Sequence, residues 1–274
     1  MDKTLRAAQL KMLVILDEID RICRLNNIDY WLDAGTLLGA KRHGGFIPWD
    51  DDIDICMKRE DYNKFISVCN IHLDKNNFFL QTAYSDKYYV DYNTPCKVRM
   101  NKTKIIEKNE MEYNYYDMRS HHGLFVDIFP YDKYSSNVYI RKYIERFMAQ
   151  LFKIKVISSY SKLPFLKNIM TKILSRVISK KILLSTVYYL SKKMSKRKSN
   201  YCLGAGIETP FFRAYYKEGA IFPLKEIEFE GRMYKCPNDV DNYLNMMFGK
   251  DFMNIPPVSQ RVWHNIALIL MSRV

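Results

Sequence analysis

The sequence predicts an α+β fold, a mixed sheet with flanking helices interrupted by a basic helical insert. Three observations predict it. A helical apolar repeat opens the chain, short strand-like runs fill most of the stretch from Ile28 to Phe129, and from Val138 to Met194 helical periodicity returns with a heavy excess of bases. A chain of 274 residues with 48% apolar composition suffices for one large core carrying a substantial insert. Residues 1–274 therefore read as a single domain, with the insert at about 136–200.

Each element has a local reason. Leu5, Ala8, Met12, Ile15, Leu16, Ile19, Ile22 and Cys23 recur at helical spacing, which predicts a helix from about Thr4 to Leu25. IDYWLDAG reads as a short strand, GTLLGAKRHGG as a glycine-bounded helical turn or two, and IPWDDDIDICM as a strand introduced by Pro48. Arg59 to Cys69 reads as a helix. FFLQTA at 78–83, PCKVRM at 95–100 and GLFVDIF at 123–129 read as strands. The later helical region breaks near Pro164, and the tail from Tyr201 returns to short strands and a last helix near Val240 to Phe248. There is no internal repeat.

A net charge of +13 suggests a nucleic-acid partner until it is located. Sixteen of the 43 bases lie between Ser135 and Asn200 with a single acid, Glu145, so the rest of the chain is close to neutral. The bases alternate with long aliphatic residues and not with a stacking platform, so no nucleic acid is expected. Within the block, Leu166, Ile169, Met170, Ile173, Leu174 and Val177 recur at helical spacing with polar and basic residues between. That pattern fits a helix lying on an anionic membrane surface, or an ordinary helix packed on the core. The longest apolar run is about six residues, far short of a bilayer span, and the N-terminus does not read as a secretory signal. Six cysteines without a C-x-x-C pair or a histidine cluster suggest neither zinc nor disulfides, and fit a reducing, cytoplasmic setting. The expected location is cytoplasmic, peripheral on the inner face of the cytoplasmic membrane.

The densest chemical signal is Asp50, Asp51, Asp52, Ile53, Asp54, Ile55. On a strand Asp50, Asp52 and Asp54 would face one way and Asp51, Ile53 and Ile55 the other. Carboxylates so close repel unless a cation lies between them, and Mg²⁺ or Mn²⁺ suits an all-oxygen site completed by substrate phosphates. Upstream, Gly35-Thr36 stands at a strand-to-helix junction where backbone N–H groups and a hydroxyl suit a phosphate. Downstream, Asp127 is isolated among apolar residues in FVDIF, where burial would be costly without a role. Together these form the layout of a metal-dependent nucleotidyltransferase-like site.

The stretch YWLDAGTLLGAKRHGGFIPWDDDIDICMKREDY, residues 30–62, closely resembles the LicD family of phosphocholine transferases related to fukutin. The resemblance continues through KVRMNKT at 97–103, FVDIFPYD at 125–132 and YLNMMFGKDFMNIPPVSQRVWH at 243–264, and says little about the basic block. It implies a nucleotidyltransferase-type fold and transfer of a phospho-substituent, phosphocholine from CDP-choline in known members, onto a sugar of a cell-surface glycan. Carried over, Asp52, Asp54 and Asp127 become the catalytic and metal-binding carboxylates, and Gly35 and Thr36 the phosphate turn. The family's Arg-His pair falls on Arg42 and His43, and its closing pair on Arg261 and His264. Arg42 suits a diphosphate because a guanidinium grips two oxygens; His43 reads equally well as structural. Lys97 and Arg99 alternate onto one strand face, either to neutralise phosphate or as a solvated face.

The implied partners are CDP-choline or a related cytidine-activated donor and a glycan or lipid-linked glycan acceptor. A quaternary ammonium favours an aromatic cage, for which Trp31, Tyr84, Tyr88, Tyr89, Tyr113, Tyr115 and Tyr116 are available, one or two of them expected at the pocket. The same chemistry with another cargo (phosphoethanolamine, aminoethylphosphonate or a sugar phosphate) stays open. A basic nucleic-acid-binding protein is the alternative of another class.

Overall fold

A computed structural model of the chain describes residues 3–90, 94–158, 160, 164–209, 214–261 and 265–269. The opening helix, α1, runs Lys3–Leu25 and buries Leu5, Ala8, Met12, Ile15, Leu16, Ile19 and Ile22, the face that the apolar repeat defines. After β1 (Trp31–Leu32) comes α2 (Ala34–His43), closed by Gly44 in the left-handed conformation that glycine adopts without strain. Gly35 and Thr36 thus lie in the first turn of α2. The carboxylate strand, β2, is shorter than its sequence suggests, spanning Asp54–Lys58, and α3 follows directly at Arg59–His72. Next are β3 (Phe78–Thr82), β4 (Cys96–Met100), β5 (Lys104–Glu107) and the one-turn α4 (Lys108–Glu112). The central strand, β6, runs Phe125–Ser135, well past the expected end at Phe129.

The main sheet has the order β3-β4-β6-β2-β1. β2 runs parallel to β6, and the remaining pairs are antiparallel. This parallel pair sets the site, because its register puts Asp54 directly beside Asp127. Beyond Tyr131, β6 outruns β4 and pairs instead with β7 (Tyr201–Ala205), which is extended by β8 (Tyr215–Tyr216). Helices α1 and α3 pack on the sheet and on each other.

The basic block comprises a π-helical stretch at Ile140–Glu145, then α5 (Phe147–Ile157), α6 (Phe165–Val177) and α7 (Lys180–Ser195). It covers the second half of β6 with a small core of its own, in which Phe152, Leu183, Val187 and Met194 meet Tyr134, Cys202 and Ile207. The tail adds α8 (Glu218–Ile221), the hairpin of β9 (Lys225–Phe229) and β10 (Arg232–Cys236), α9 (Val240–Phe248) and β11 (Asn265–Ile269). β11 returns across most of the chain's length to pair with β5. All six cysteines are free and buried.

Candidate active site

A cleft of about 810 Å³ opens at the start of β2 and β6. Its floor carries Asp50, Asp52, Asp54 and Asp127; Trp49, Tyr113, Phe129, Phe248 and Phe252 supply aromatic walls. Only Asp54 of the first three lies on the sheet ladder. Asp50 to Ile53 keep the alternation without ladder bonds, since Ile53 and Asp51 are wholly buried while Asp50, Asp52 and Asp54 line the cleft. The segment is held by other contacts. Gln9 Nε2 donates to the Asp50 carbonyl at 2.9 Å, and Asp51 Oδ2 accepts the backbone N–H of Asn265 at 2.9 Å. Oxygens of Asp50, Asp51 and Asp52 lie within 4.8 Å of one another. Gly35 permits this approach, because a Cβ there would stand 2.8 Å from Asp50 Oδ2.

The electrostatics follow from crowding. Burial, and then the charges of Asp52, Asp127, Asp33 and Asp50, push the Asp54 carboxyl well above the usual range. Burial also raises Asp127; Lys97 opposes this while Glu107 and Asp52 add to it, and the group settles at about 6. Lys97 Nζ lies 2.7 Å from Asp127 Oδ1 and 2.9 Å from Glu107 Oε1. Thr94 Oγ1 donates to Asp127 Oδ2 at 3.3 Å. Despite the nearby ammonium, Asp127 Oδ1 is buried with no hydrogen-bond donor aligned on it among the described residues.

Residues 27–171, more than half of the chain, match the family described as LicD/FKTN/FKRP, nucleotidyltransferase domain. The chain belongs to this family. Over 96% of both chains it is 29% identical to the lipopolysaccharide cholinephosphotransferase LicD of Haemophilus influenzae. An uncharacterized protein of Rickettsia prowazekii is 36% identical over 39% of this chain and 37% of its own. The human ribitol 5-phosphate transferase FKRP is 56% identical over 12% of this chain and 7% of its own.

The residues that the LicD resemblance singles out are not all brought together. Asp52, Asp54, Asp127, Gly35 and Arg42 line the cleft, and Lys97 lines a smaller recess behind Asp127. Thr36 is buried, and its hydroxyl accepts the Asp54 backbone N–H at 2.9 Å, which pins α2 to the carboxylate strand. Arg42 Nη1 donates to the carbonyls of Phe252 and Asn254 at 2.8 and 3.0 Å, so the guanidinium holds the tail loop as a wall of the cleft. His43 accepts from Arg42 Nε at 3.4 Å and meets the Trp49 ring edge-on, outside the cleft lining. Burial and the adjacent Arg42 lower its pKa, so it is neutral at pH 7.

Arg99 is fully buried and far from a solvated face. It donates to Gln81 through Nε, to the Gly123 carbonyl at 2.7 Å and to Glu107 at 3.1 Å. It therefore positions Glu107 and does not reach the cleft. Arg261 lies over the Trp49 ring at 4.0 Å; His264 is outside the described residues. Of the tyrosines considered for a cage, Tyr113 lines the cleft and Tyr89 and Tyr115 the recess, whereas Trp31 is core.

Sequence reasoning missed Glu107, Asn109, Trp49, Phe129, Phe248 and Phe252. Glu107 and Asn109 had no local signal, because Glu107 ends a strand that pairs with β11 near the far end of the chain and Asn109 lies on the one-turn helix that follows it. Trp49, beside the acidic run, was the one legible hint.

Proposed function

We propose that the protein is a LicD-like transferase that moves phosphocholine from CDP-choline onto a sugar hydroxyl of a cell-surface glycan or its lipid-linked precursor. One observation carries the reading: Asp54 and Asp127, on adjacent parallel strands, and Asp52, just before the first of them, open into a single cleft with aromatic walls. The near full-length match to a cholinephosphotransferase supports the cargo. So does the combination of carboxylates with Trp49 and Tyr113, since a quaternary ammonium is attracted by ring faces.

The donor set fits Mg²⁺ or Mn²⁺. It offers only carboxylate oxygens, one of them the buried Asp127 Oδ1 without an aligned donor, and the crowding that lifts Asp54 is relieved by a cation. Asp52, Asp54 and Asp127 would hold the ion. When bound, such a cation neutralises charge on a transferring phosphoryl group.

The chain's own groups divide the remaining work. Asp127, braced by Lys97 and Thr94, takes the proton of the attacking hydroxyl. Arg42 fixes the tail loop and adds positive potential beside Asp50 for the donor diphosphate. The aromatic walls orient the choline end and exclude water.

The same reading makes the enzyme peripheral on the cytoplasmic face of a membrane that carries the acceptor. No helix among the described residues is long and apolar enough to cross a membrane.

The test is to incubate the protein with Mg²⁺, a sugar acceptor bearing free hydroxyls and a panel of cytidine-activated donors, then follow CMP release. Turnover with CDP-choline above CDP-ethanolamine, CMP-aminoethylphosphonate and CDP-ribitol is expected. Preference for one of these others would replace the cargo, and no release with any would overturn the reading.

A further inference from the structure

In a soluble helix an apolar stripe normally faces the core. Helix α6 is turned the other way. Its stripe of Leu166, Ile169, Met170, Ile173, Leu174 and Val177 is exposed throughout, from 42% at Ile169 to 80% at Val177, and Phe165 at its start is equally bare. The face turned inward is polar. Thr171 is the one buried residue of the helix, with Asn168 and Ser175 half-buried on either side of it. Thr171 satisfies its hydroxyl on the Lys167 carbonyl at 2.9 Å, and Lys155 of α5 donates to the Ser175 carbonyl.

Cations rim the exposed stripe. Lys172 and Arg176 flank one side and Lys167 the other, with Lys181 just beyond the helix end. The block's only acid does not neutralise them. Glu145 is held by Arg197 at 2.5 Å and by the Ser135 backbone N–H at 2.8 Å. Elsewhere in the block Ile140, Tyr143, Ile144 and Phe147 are exposed as well.

We propose that α6 is a lipid-inserting helix, its apolar face seated in the interface of an anionic bilayer and its lysines and arginines on the headgroups. An apolar face ringed by unneutralised cations is complementary to a phospholipid surface; for a second copy of this chain the same cations would repel. Two contacts tie the block to the cleft. The Tyr160 ring lies 4.9 Å from that of Tyr113 in the cleft wall, and Lys180 Nζ reaches the carbonyl of Tyr89 in the recess at 3.4 Å. Docking through α6 therefore holds the cleft in fixed relation to the membrane, as an acceptor carried on a lipid requires. This last step rests on the transferase reading; the docking does not.

The test is co-sedimentation of the full-length protein with vesicles of phosphatidylcholine alone or with about a third phosphatidylglycerol. CMP release with a soluble acceptor analogue is measured on the same preparations. Binding only to the anionic vesicles is expected, falling steeply with salt. Each of Lys172→Gln and Arg176→Gln should weaken it about fivefold. Ile173→Asp, at an exposed position, should reduce it about tenfold or more without changing melting temperature or soluble turnover. Equal binding to both vesicles, or none to either, overturns the docking. So does a lipid-free dimer that Ile173→Asp dissociates, since a second copy would then cover the face. Vesicle binding without CMP release would instead overturn the transferase reading alone.

Discussion

Asp54 carries a charge that burial and four neighbouring aspartates oppose. Its folded pKa stands well above the ordinary 3.8, so the folded chain retains a proton that the unfolded chain releases. Metal-free stability should therefore fall as pH rises above about 4, and Asp54→Asn should lessen that fall. At pH 7 without divalent cations the variant is expected to melt above the parent, because it no longer carries the carboxyl that burial and the neighbouring aspartates disfavour. Added Mg²⁺ should raise the parent's melting temperature and leave the variant's nearly unchanged, while transfer drops about a hundredfold or more. A variant that melts lower than the parent in EDTA would refute the repulsion. Arg99 makes the opposite case, a charge whose surroundings are fully committed to it. Its three nitrogens hold Gln81, Gly123 and Glu107, and the single ammonium of a lysine cannot span all three. Arg99→Lys should cost about 5 °C or more in melting temperature, since each buried acceptor left unpaired costs about 1–3 kcal/mol. Donor KM should move less than about twofold; a large rise in KM at unchanged stability would restore a phosphate role.

At the level of elements, the cleft depends on a loop that belongs to no strand or helix. Phe252 and Asn254 line it and are gripped by Arg42 from α2. Arg42→Ala should raise donor KM about tenfold and lower kcat less, because it loosens binding more than chemistry. Unchanged KM would separate the loop from donor binding. The elements themselves were unequally legible. Helix α9 was read at its observed bounds because its periodicity and flanking residues are local. The expected strand from Ile47 was too long because the side-chain amides of Gln9 and Asn265, both distant in sequence, take the Asp50 and Asp51 carbonyls that a ladder would use. Strand β5, Lys104–Glu107, went unread because so short and charged a stretch becomes strand only when β11 pairs with it. For α6 the periodicity located the helix but not its inverted packing, which depends on what α5 presents to Thr171 and Ser175.

On the scale of the molecule, one buried triad joins the carboxylate half to the half under the basic block. Arg59, the residue after the carboxylate strand, forms paired hydrogen bonds of 2.7 and 2.8 Å to Asp132 and again to Glu208. Asp132 lies where β6 leaves β4 for β7, and its Oδ2 also accepts the Ile207 backbone N–H at 2.9 Å. Ile207 belongs to the small core beneath the block. The triad thus connects β2, β6 and the segment after β7 at the seam between the two apolar clusters. Removing the cation leaves two buried carboxylates side by side, a loss of about 3–5 kcal/mol. Arg59→Met should accordingly lower the melting temperature by roughly 10 °C. If the triad couples the halves, parent and variant each unfold in one transition. The alternative is that the block is an independent unit, and then the variant should show two transitions, with the block melting first. Replacing all three by apolar residues separates electrostatic from geometric coupling: an Arg59→Met, Asp132→Leu, Glu208→Leu chain should recover most of the loss, because the uncompensated charges are gone. Failure to recover would mean that the directed hydrogen bonds, Asp132 to Ile207 among them, hold the seam, and that apolar contact at this site cannot replace them.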